Sequence, residues 1–304
     1  MRHFLSLADF TPQEIKGFLT LAGMVKREPE RYRTALAGKT LAMIFQKQST
    51  RTRVSFEVGM YQLGGHALFL SGTDMQLGRG ETVPDTARVL SRFVDGIMAR
   101  VFAHADVEGL TAGSVPVING LSDKLHPCQV LADLMVLEEH KGRLEGLTMA
   151  YVGDGNNMAH SLINGCTKTG VAIRIATPKG YEPDEQIVAA ARAAGGSVEV
   201  MRDAREAVRG VDAIYTDVWA SMGQEKEHAE RVALFKDYQV NEALFELAAS
   251  DAVFLHCLPA HRGEEVTDGV VDHPRSIVYD EAENRLHAQK AVLLHLMANE
   301  PLPA

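Results

Sequence analysis

Short apolar runs recur along this chain, and most are followed by a stretch of helical periodicity. A parallel sheet with helices on both faces buries such a pattern throughout. Leu41–Phe45 is apolar without interruption, as a strand covered on both faces should be. Further strands are expected at Ala67–Leu70, Gly96–Val101 and Val115–Ile118, with helices at Val83–Phe93 and Cys128–His140. Lys141-Gly142-Arg143 reads as a hinge, after which the rhythm restarts. Strands at Leu147–Val152, Ala172–Ala176, Val198–Met201, Ala213–Thr216 and Val253–His256 then alternate with helices at Met158–Thr169, Asp184–Ala194, Arg205–Val208 and Asn241–Ala249. Residues 6–28 read as an amphipathic helix, capped at Ser6 or Asp9 and restarted at Thr11-Pro12, and Leu286–Met297 as a closing one. A chain of 304 residues is long for one core. The expected fold is therefore α/β with two domains, each a parallel sheet flanked by helices: 1–140, joined by the last helix 286–304, and 141–285.

Open parallel sheets bind ligands beyond the carboxyl ends of their strands, so the chemistry should lie just after each apolar run. Gln46-Lys47-Gln48-Ser49-Thr50-Arg51-Thr52-Arg53 follows the first. Val54, Val58, Tyr61 and Leu63 then recur at helical spacing until Gly64-Gly65 stops the helix. Ser49 and Thr50 thus fall in the cap and first turn, where unpaired N–H groups and the positive end of the helix dipole collect anions. Arg51 in that first turn opposes the dipole unless an anion docks beside it, and a guanidinium grips phosphate through two parallel bonds. Arg53 points elsewhere and should pair with Glu57 one turn on.

The other strand ends supply further polar groups. Arg100 closes one strand, and His126-Pro127-Cys128-Gln129 starts a helix with proline at its first position. A neutral imidazole and an amide there suit a polarised carbonyl and an amide nitrogen. Gly153-Asp154-Gly155-Asn156-Asn157-Met158 resembles a dinucleotide-binding turn, but Met158 replaces the third glycine and no acidic residue ends the next strand. Asn156 and Asn157 are better read as ligands for the charged ends of an amino acid. Asp217 follows a strand, and the loop through Ser221-Met222-Gly223 into the charged run Gln224–Arg231 suggests a lid. His256-Cys257-Leu258-Pro259 follows the last strand, with Leu258-Pro259 a candidate cis peptide. His126, Cys128, His256 and Cys257 match no usual zinc spacing.

Composition narrows the partners. A net charge of −9 without a Lys/Arg tract argues against nucleic acid, and an anionic ligand then needs locally concentrated arginines. No apolar run approaches the roughly 20 residues that span a membrane. Three cysteines without a C-x-x-C pair imply free thiols in a reducing, cytoplasmic compartment, and the first residues suggest neither signal nor transit peptide.

Together, Ser49-Thr50-Arg51-Thr52-Arg53, His126-Pro127-Cys128-Gln129, Asp217 with Ser221-Met222-Gly223, and His256-Cys257-Leu258-Pro259 resemble the ornithine carbamoyltransferase family, over nearly the whole chain. The first two motifs mark carbamoyltransferases generally; the last two point to L-ornithine as acceptor. The resemblance implies transfer of the carbamoyl group of carbamoyl phosphate to ornithine, giving citrulline and phosphate, with the active site in the cleft between the domains. It implies that Ser49, Thr50, Arg51 and Thr52 bind the phosphate, and that Arg100, His126, Gln129 and Arg285 hold the carbamoyl group. Asn157, Asp217, Ser221 and Met222 would bind ornithine, with Cys257 and the Leu258 backbone at the reacting amine and the carbamoyl group. It further implies a homotrimer in which Gln76 enters a neighbouring subunit's site, and chemistry that needs neither metal nor cofactor. The alternatives are a carbamoyltransferase for another amine, a non-catalytic anion-binding α/β protein, and a dehydrogenase, the last disfavoured by Met158.

Overall fold

The computed structural model describes residues 1–72, 80–220 and 227–303. The chain divides into two compact units, Met1–Met135 with Glu283–Ala304, and Val136–Ala282. In the first, α1 (Pro12–Arg27) precedes β1 (Thr40–Phe45), α2 (Thr50–Gln62), β2 (His66–Ser71), α3 (Val83–Leu90), β3 (Gly96–Arg100), α4 (His104–Leu110), β4 (Val117–Leu121) and α5 (Pro127–Lys141). The four strands are parallel in the order β2-β1-β3-β4. Successive connections therefore run outward from β1 in one direction and from β3 in the other. The order reverses between these two strands, whose ends are level: Phe45 pairs with Arg100, and the Gln46 N–H donates to the Arg100 carbonyl at 2.8 Å.

The second unit contains β5 (Thr148–Val152), α6 (Asn157–Thr169), β6 (Ala172–Ala176), α7 (Glu185–Ala193), β7 (Val198–Met201), α8 (Ala204–Ala207), β8 (Ala213–Thr216), α9 (His228–Phe235), α10 (Glu242–Phe245), β9 (Val253–His256) and α11 (Asp268–Val271). Helix α12 (Val278–Met297) ends the helical sequence and supplies residues to each unit. The sheet is again parallel, β7-β6-β5-β8-β9, with its reversal between β5 and β8. One core of this unit packs Val152, Ile214, Phe245, Phe254 and Val270, and one in the first packs Ile44, Ile97, Val107 and Val117. Each such side chain contributes about 1.5–3 kcal/mol on burial. The strand ends can therefore carry polar groups on a rigid base.

Most expected elements are present, and the departures have local causes. Residues 6–28 are not one helix. Ser6 caps a single 3-10 turn, and α1 begins only at Pro12, because a residue before proline is driven into extended backbone. Thr11 accordingly has φ −73° and ψ 160° and forms a capping box with Glu14. Strand β4 starts at Val117, not Val115, since Pro116 has no N–H to give a ladder. Helix α3 stops at Leu90, leaving Phe93 exposed, and the helix expected at Asn241–Ala249 shrinks to a single turn. Helices α4, α9 and α11 were not anticipated. Of the charged run Gln224–Arg231, the part from His228 on begins α9, with Arg231 buried. The face of α2 is also different: Thr52, Phe56, Gly59 and Met60 are buried, whereas Val54 and Tyr61 are exposed. Of the four apolar residues at helical spacing, Val54 and Tyr61 thus mark an outer surface, Val58 is half-buried, and only Leu63 is buried. Helix α12 packs on the buried face, where a Cβ on Gly59 would meet Lys290 Cγ at 3.4 Å, an ordinary van der Waals contact.

Candidate active site

In the first unit, two anion-seeking features converge from the chain reversal. Ser49, in extended backbone with φ −164° and ψ 115°, caps α2 and its Oγ accepts from the Thr52 N–H at 3.2 Å. The same hydroxyl donates to Thr52 Oγ1 at 3.1 Å. Thr50 is exposed and Arg51 half-buried on the first turn. Arg53 leaves this face, pairing with Glu57 at 2.9 Å and covering the Phe69 ring.

Thr52 is buried because Arg285 reaches it from α12. The guanidinium donates through Nη2 to Thr52 Oγ1 at 3.1 Å and through Nη1 to Gln129 Oε1 at 2.5 Å. Gln129 is held in turn by its own amide, which donates to Asp133 Oδ1 at 2.8 Å one helical turn away. His126 stands just before α5, its carbonyl accepting the N–H groups of Gln129 and Val130. Burial, reinforced by the charges of Arg285 and Arg100, pushes its imidazole pKa well below the usual 6.5, so it is neutral at physiological pH. Arg100 ends β3 and is nearly fully buried at 7% exposure. A buried guanidinium pair beside a neutral imidazole concentrates donors and positive charge in an otherwise acidic protein. Cys128 lies next to these residues but is inert: burial raises its thiol pKa to about 12, and Sγ donates to the Asn119 carbonyl at 3.4 Å.

The second unit gathers its polar groups at the β5/β8 reversal. Asp217 follows β8 and is 6% exposed. Its Oδ1 accepts from the Val218 N–H at 2.8 Å and from Cys257 Sγ at 3.1 Å, and its Oδ2 accepts from Asn156 Nδ2 at 3.1 Å. Asn156 also caps α6, taking the Met158 N–H at 2.9 Å, so its role is to fix Asp217 and the helix start. Asn157 is the first residue of α6. Arg231 braces the loops on either side, donating to Asp154 Oδ2 at 2.7 Å and to the Trp219 carbonyl at 2.9 Å.

Cys257 is oriented by what lies beneath it. The His256 N–H donates to Glu281 Oε2 at 2.9 Å, and Tyr215 donates to the other oxygen of Glu281 at 3.2 Å. His256 Nδ1 accepts from the Leu258 N–H at 2.9 Å, which leaves Nε2–H to donate to Glu265 Oε1 at 3.1 Å. Asp217, His256 and Cys257 offer donor atoms within 4.8 Å of one another, but both imidazole nitrogens are already engaged. The trio therefore fits a hydrogen-bonded cluster better than a metal site. Leu258 sits at φ 56°, a left-handed conformation that costs a leucine about 1–2 kcal/mol. The buried His256–Glu265 pair holds it there. The Leu258–Pro259 bond is cis, as its setting suggested.

Thr52, Gln129 and Arg285 are thus joined directly, as are Cys257 and Asp217, while Ser49, Thr50, Arg51, Arg100 and His126 occupy the expected strand and helix ends. Gln76, Ser221 and Met222 lie outside the described residues. Sequence reasoning missed Asp133, Glu265, Glu281 and Arg231, which carry no motif. Only Gln129–Asp133 had a readable signal, the one-turn spacing.

In Gly153-Asp154-Gly155, Gly153 has φ 147°, and Gly155 has a packing reason. A Cβ on Gly155 would stand 2.3 Å from Pro183 N, and its N–H donates to the Tyr181 carbonyl at 2.8 Å. Gly155 is thus accounted for by the close approach of the Tyr181–Pro183 backbone, without a dinucleotide.

Such a pair of parallel α/β units, one with an arginine-rich helix start and one with a thiol–carboxylate pair, defines a two-domain group-transfer class. Residues 2–139 match the family model for the carbamoyl-P binding domain of aspartate/ornithine carbamoyltransferase, and residues 145–296 match that for its Asp/Orn binding domain. An ornithine carbamoyltransferase from Thermococcus kodakarensis is 58% identical, covering 97% of this chain and 96% of the relative. An anabolic ornithine carbamoyltransferase from Pseudomonas aeruginosa is 54% identical, covering 96% of each. Among solved structures, ornithine carbamoyltransferase from Pyrococcus furiosus superposes with a TM-score of 0.94 at 57% identity, over 99% of this chain and 98% of that one. The chain belongs to the aspartate/ornithine carbamoyltransferase family.

Proposed function

We propose that this protein transfers the carbamoyl group of carbamoyl phosphate to the side-chain amine of L-ornithine, giving L-citrulline and phosphate in the direction of arginine biosynthesis. The observation that carries the donor half is the buried Arg285 guanidinium bonded to Thr52 and Gln129 beside a capped helix start. Residues 1–140 with 286–304 bind the donor, and residues 141–285 bind ornithine; the family matches, 2–139 and 145–296, support a boundary near residue 140, and the grouping of Glu283–Ala304 with the first unit supports the return of the last helix.

In this reading Ser49, Thr50, Arg51 and Thr52 bind the phosphate through side chains and helix N–H groups, with Gln76 joining from a neighbouring subunit. Arg100, His126, Gln129 and Arg285 hold the carbamoyl group. Asn157, Asp217, Ser221 and Met222 bind ornithine, and Cys257 with the Leu258 backbone adjoins the amine and the carbamoyl group. Asp217 first pairs with the incoming ammonium. An alkylamine titrates near 10.4, so burial must favour its neutral form before it can attack. Attack on the carbamoyl carbon moves charge onto its oxygen, where Thr52, Arg100 and His126 donate; one such donor is worth about 3–4 kcal/mol. The C–O bond to phosphate breaks, and the departing phosphate, neutralised by Arg51 and the helix dipole, accepts the amine's proton. Cys257 orients the amine and forms no covalent intermediate.

The protein acts as a homotrimer in the cytoplasm. Its edge strand β2 and the adjoining α2 support self-association, since Leu68, Phe69, Val54 and Tyr61 are 40, 38, 50 and 81% exposed. Three free cysteines suit a reducing compartment, and among the described residues no helix is long and apolar enough to cross a membrane. Citrulline formation from carbamoyl phosphate with ornithine, putrescine and aspartate tests the reaction. Only ornithine should turn over efficiently, and Asp217→Asn should lose at least a hundredfold in kcat/KM for ornithine while leaving carbamoyl phosphate binding intact. Equal use of another amine, or normal ornithine kinetics in the variant, would contradict the assignment.

A further inference from the structure

A second cluster of ligating side chains lies apart from Cys257, on the surface of the second unit. His228 is the first residue of α9, and His261 and Glu264 belong to the turn that follows Pro259. His228 Nε2 lies 3.0 Å from Glu264 Oε2, and His261 Nδ1 lies 3.6 Å from the same oxygen. One donor atom from each residue falls within 4.8 Å of the other two. Zinc bonds to nitrogen and oxygen of about 2.0–2.2 Å place tetrahedral ligands roughly 3.3–3.5 Å apart, so the trio needs only small rotamer changes to close on an ion.

The platform beneath the cluster is ordered. The Glu264 N–H donates to the His261 carbonyl at 2.9 Å, and Gly263, at φ 90°, closes the turn through its N–H to the Val266 carbonyl at 2.8 Å. Gln239 Nε2 donates to the carbonyls of Gly263 and Glu264 at 2.9 and 2.8 Å. The neighbouring cation, Arg262, is turned away into Asp268 and Asp272. The three side chains are 41, 43 and 31% exposed, which admits an ion with water completing its coordination. An ordinary ion pair needs one imidazole on a carboxylate. Two imidazoles directed at a single carboxylate oxygen match the two-histidine, one-carboxylate donor set of borderline divalent metals.

We propose that His228, His261 and Glu264 form a surface site for one divalent transition-metal ion of the zinc or nickel class. The ion would tie the start of α9, three residues before Arg231, to the turn that follows the Cys257 loop. The binding is independent of the reaction assigned to the protein, so its test stands apart from that assignment.

The full-length protein is titrated with Ni2+ by calorimetry and with Co2+ by absorption. One equivalent should bind, without the thiolate-to-metal band that ligation by Cys257 would produce, and Ni2+ should raise the thermal midpoint. His228→Ala and His261→Ala should each weaken binding at least tenfold and abolish the thermal shift, because even an outer partner of a metal ligand is worth about 10–100-fold in affinity. Circular dichroism of both variants verifies their folding. Three results would overturn the proposal: no binding by the unaltered protein at millimolar metal, a thiolate band as the sole signal, or wild-type affinity in either variant.

Discussion

Replacing Arg285 with methionine separates the chemistry of the donor half from its stability. The side chain is 3% exposed and makes bonds of 2.5 Å to Gln129 and 3.1 Å to Thr52. If the guanidinium holds the carbamoyl group in the transition state, its removal should lower turnover by about 10²–10³, or 2.7–4 kcal/mol. Folding responds differently. Gln129 Oε1 loses its charged donor, which costs about 1–3 kcal/mol. Against this, the cost of holding a guanidinium out of water disappears. Thr52 Oγ1 keeps its bond from Ser49. The net should lie within about 2 kcal/mol, or a few degrees in Tm. His126 supplies an internal probe: Arg285 is, after burial, the next cause of its lowered pKa, so the imidazole pKa should rise in Arg285→Met. The assay is citrulline formation across carbamoyl phosphate concentrations, with calorimetric Tm and histidine-resolved NMR titration on the same samples. An Arg285→Met enzyme within threefold of normal kcat/KM, with its fold intact, would refute the reasoning.

The lowered pKa of His126 also has a signature in stability. The unfolded chain takes up this proton near 6.5 and the folded chain only well below that, so stability should fall as pH drops beneath about 6.5 and be unaffected by this group above it. Burial lowers His3, His104 and His287 in the same direction, so denaturant midpoints at pH 7.5 and 5.5 should be compared with those of His126→Gln, whose pH dependence should be shallower. An unchanged slope would exclude the effect. Gly155→Ala should destabilise the second unit by more than 2 kcal/mol, since its Cβ would stand 2.3 Å from backbone that cannot step aside. A Tm equal to that of the unaltered protein would show that the Tyr181–Pro183 segment yields.

Much of this architecture was legible because its signals are local. Uninterrupted apolar runs specify parallel strands, and four of those in the second unit have the very bounds that the residues suggested: Ala172–Ala176, Val198–Met201, Ala213–Thr216 and Val253–His256. Capping chemistry is equally local, so Ser49 and Pro127 announced the starts of α2 and α5. Periodicity was a poorer guide on α2, where Val54 and Tyr61 mimic a core face. Which side of a short helix is buried depends on what packs against it, here α12 at Gly59.

Strand order, and with it the place where the chain reverses, was settled by packing alone. The sequence by itself determined the residue types and their positions at strand ends: Thr52, Arg100, His126, Gln129, Asp217 and Cys257. Only the tertiary structure decided that Arg285, 233 residues from Thr52, would bond to it, that Cys257 would lie against Asp217, and that Glu265 and Glu281 would hold His256 from below. The reason is range: a cap or an apolar run acts over a few residues along the chain, whereas a buried polar group takes its partner from whatever the folded sheet brings within hydrogen-bond reach.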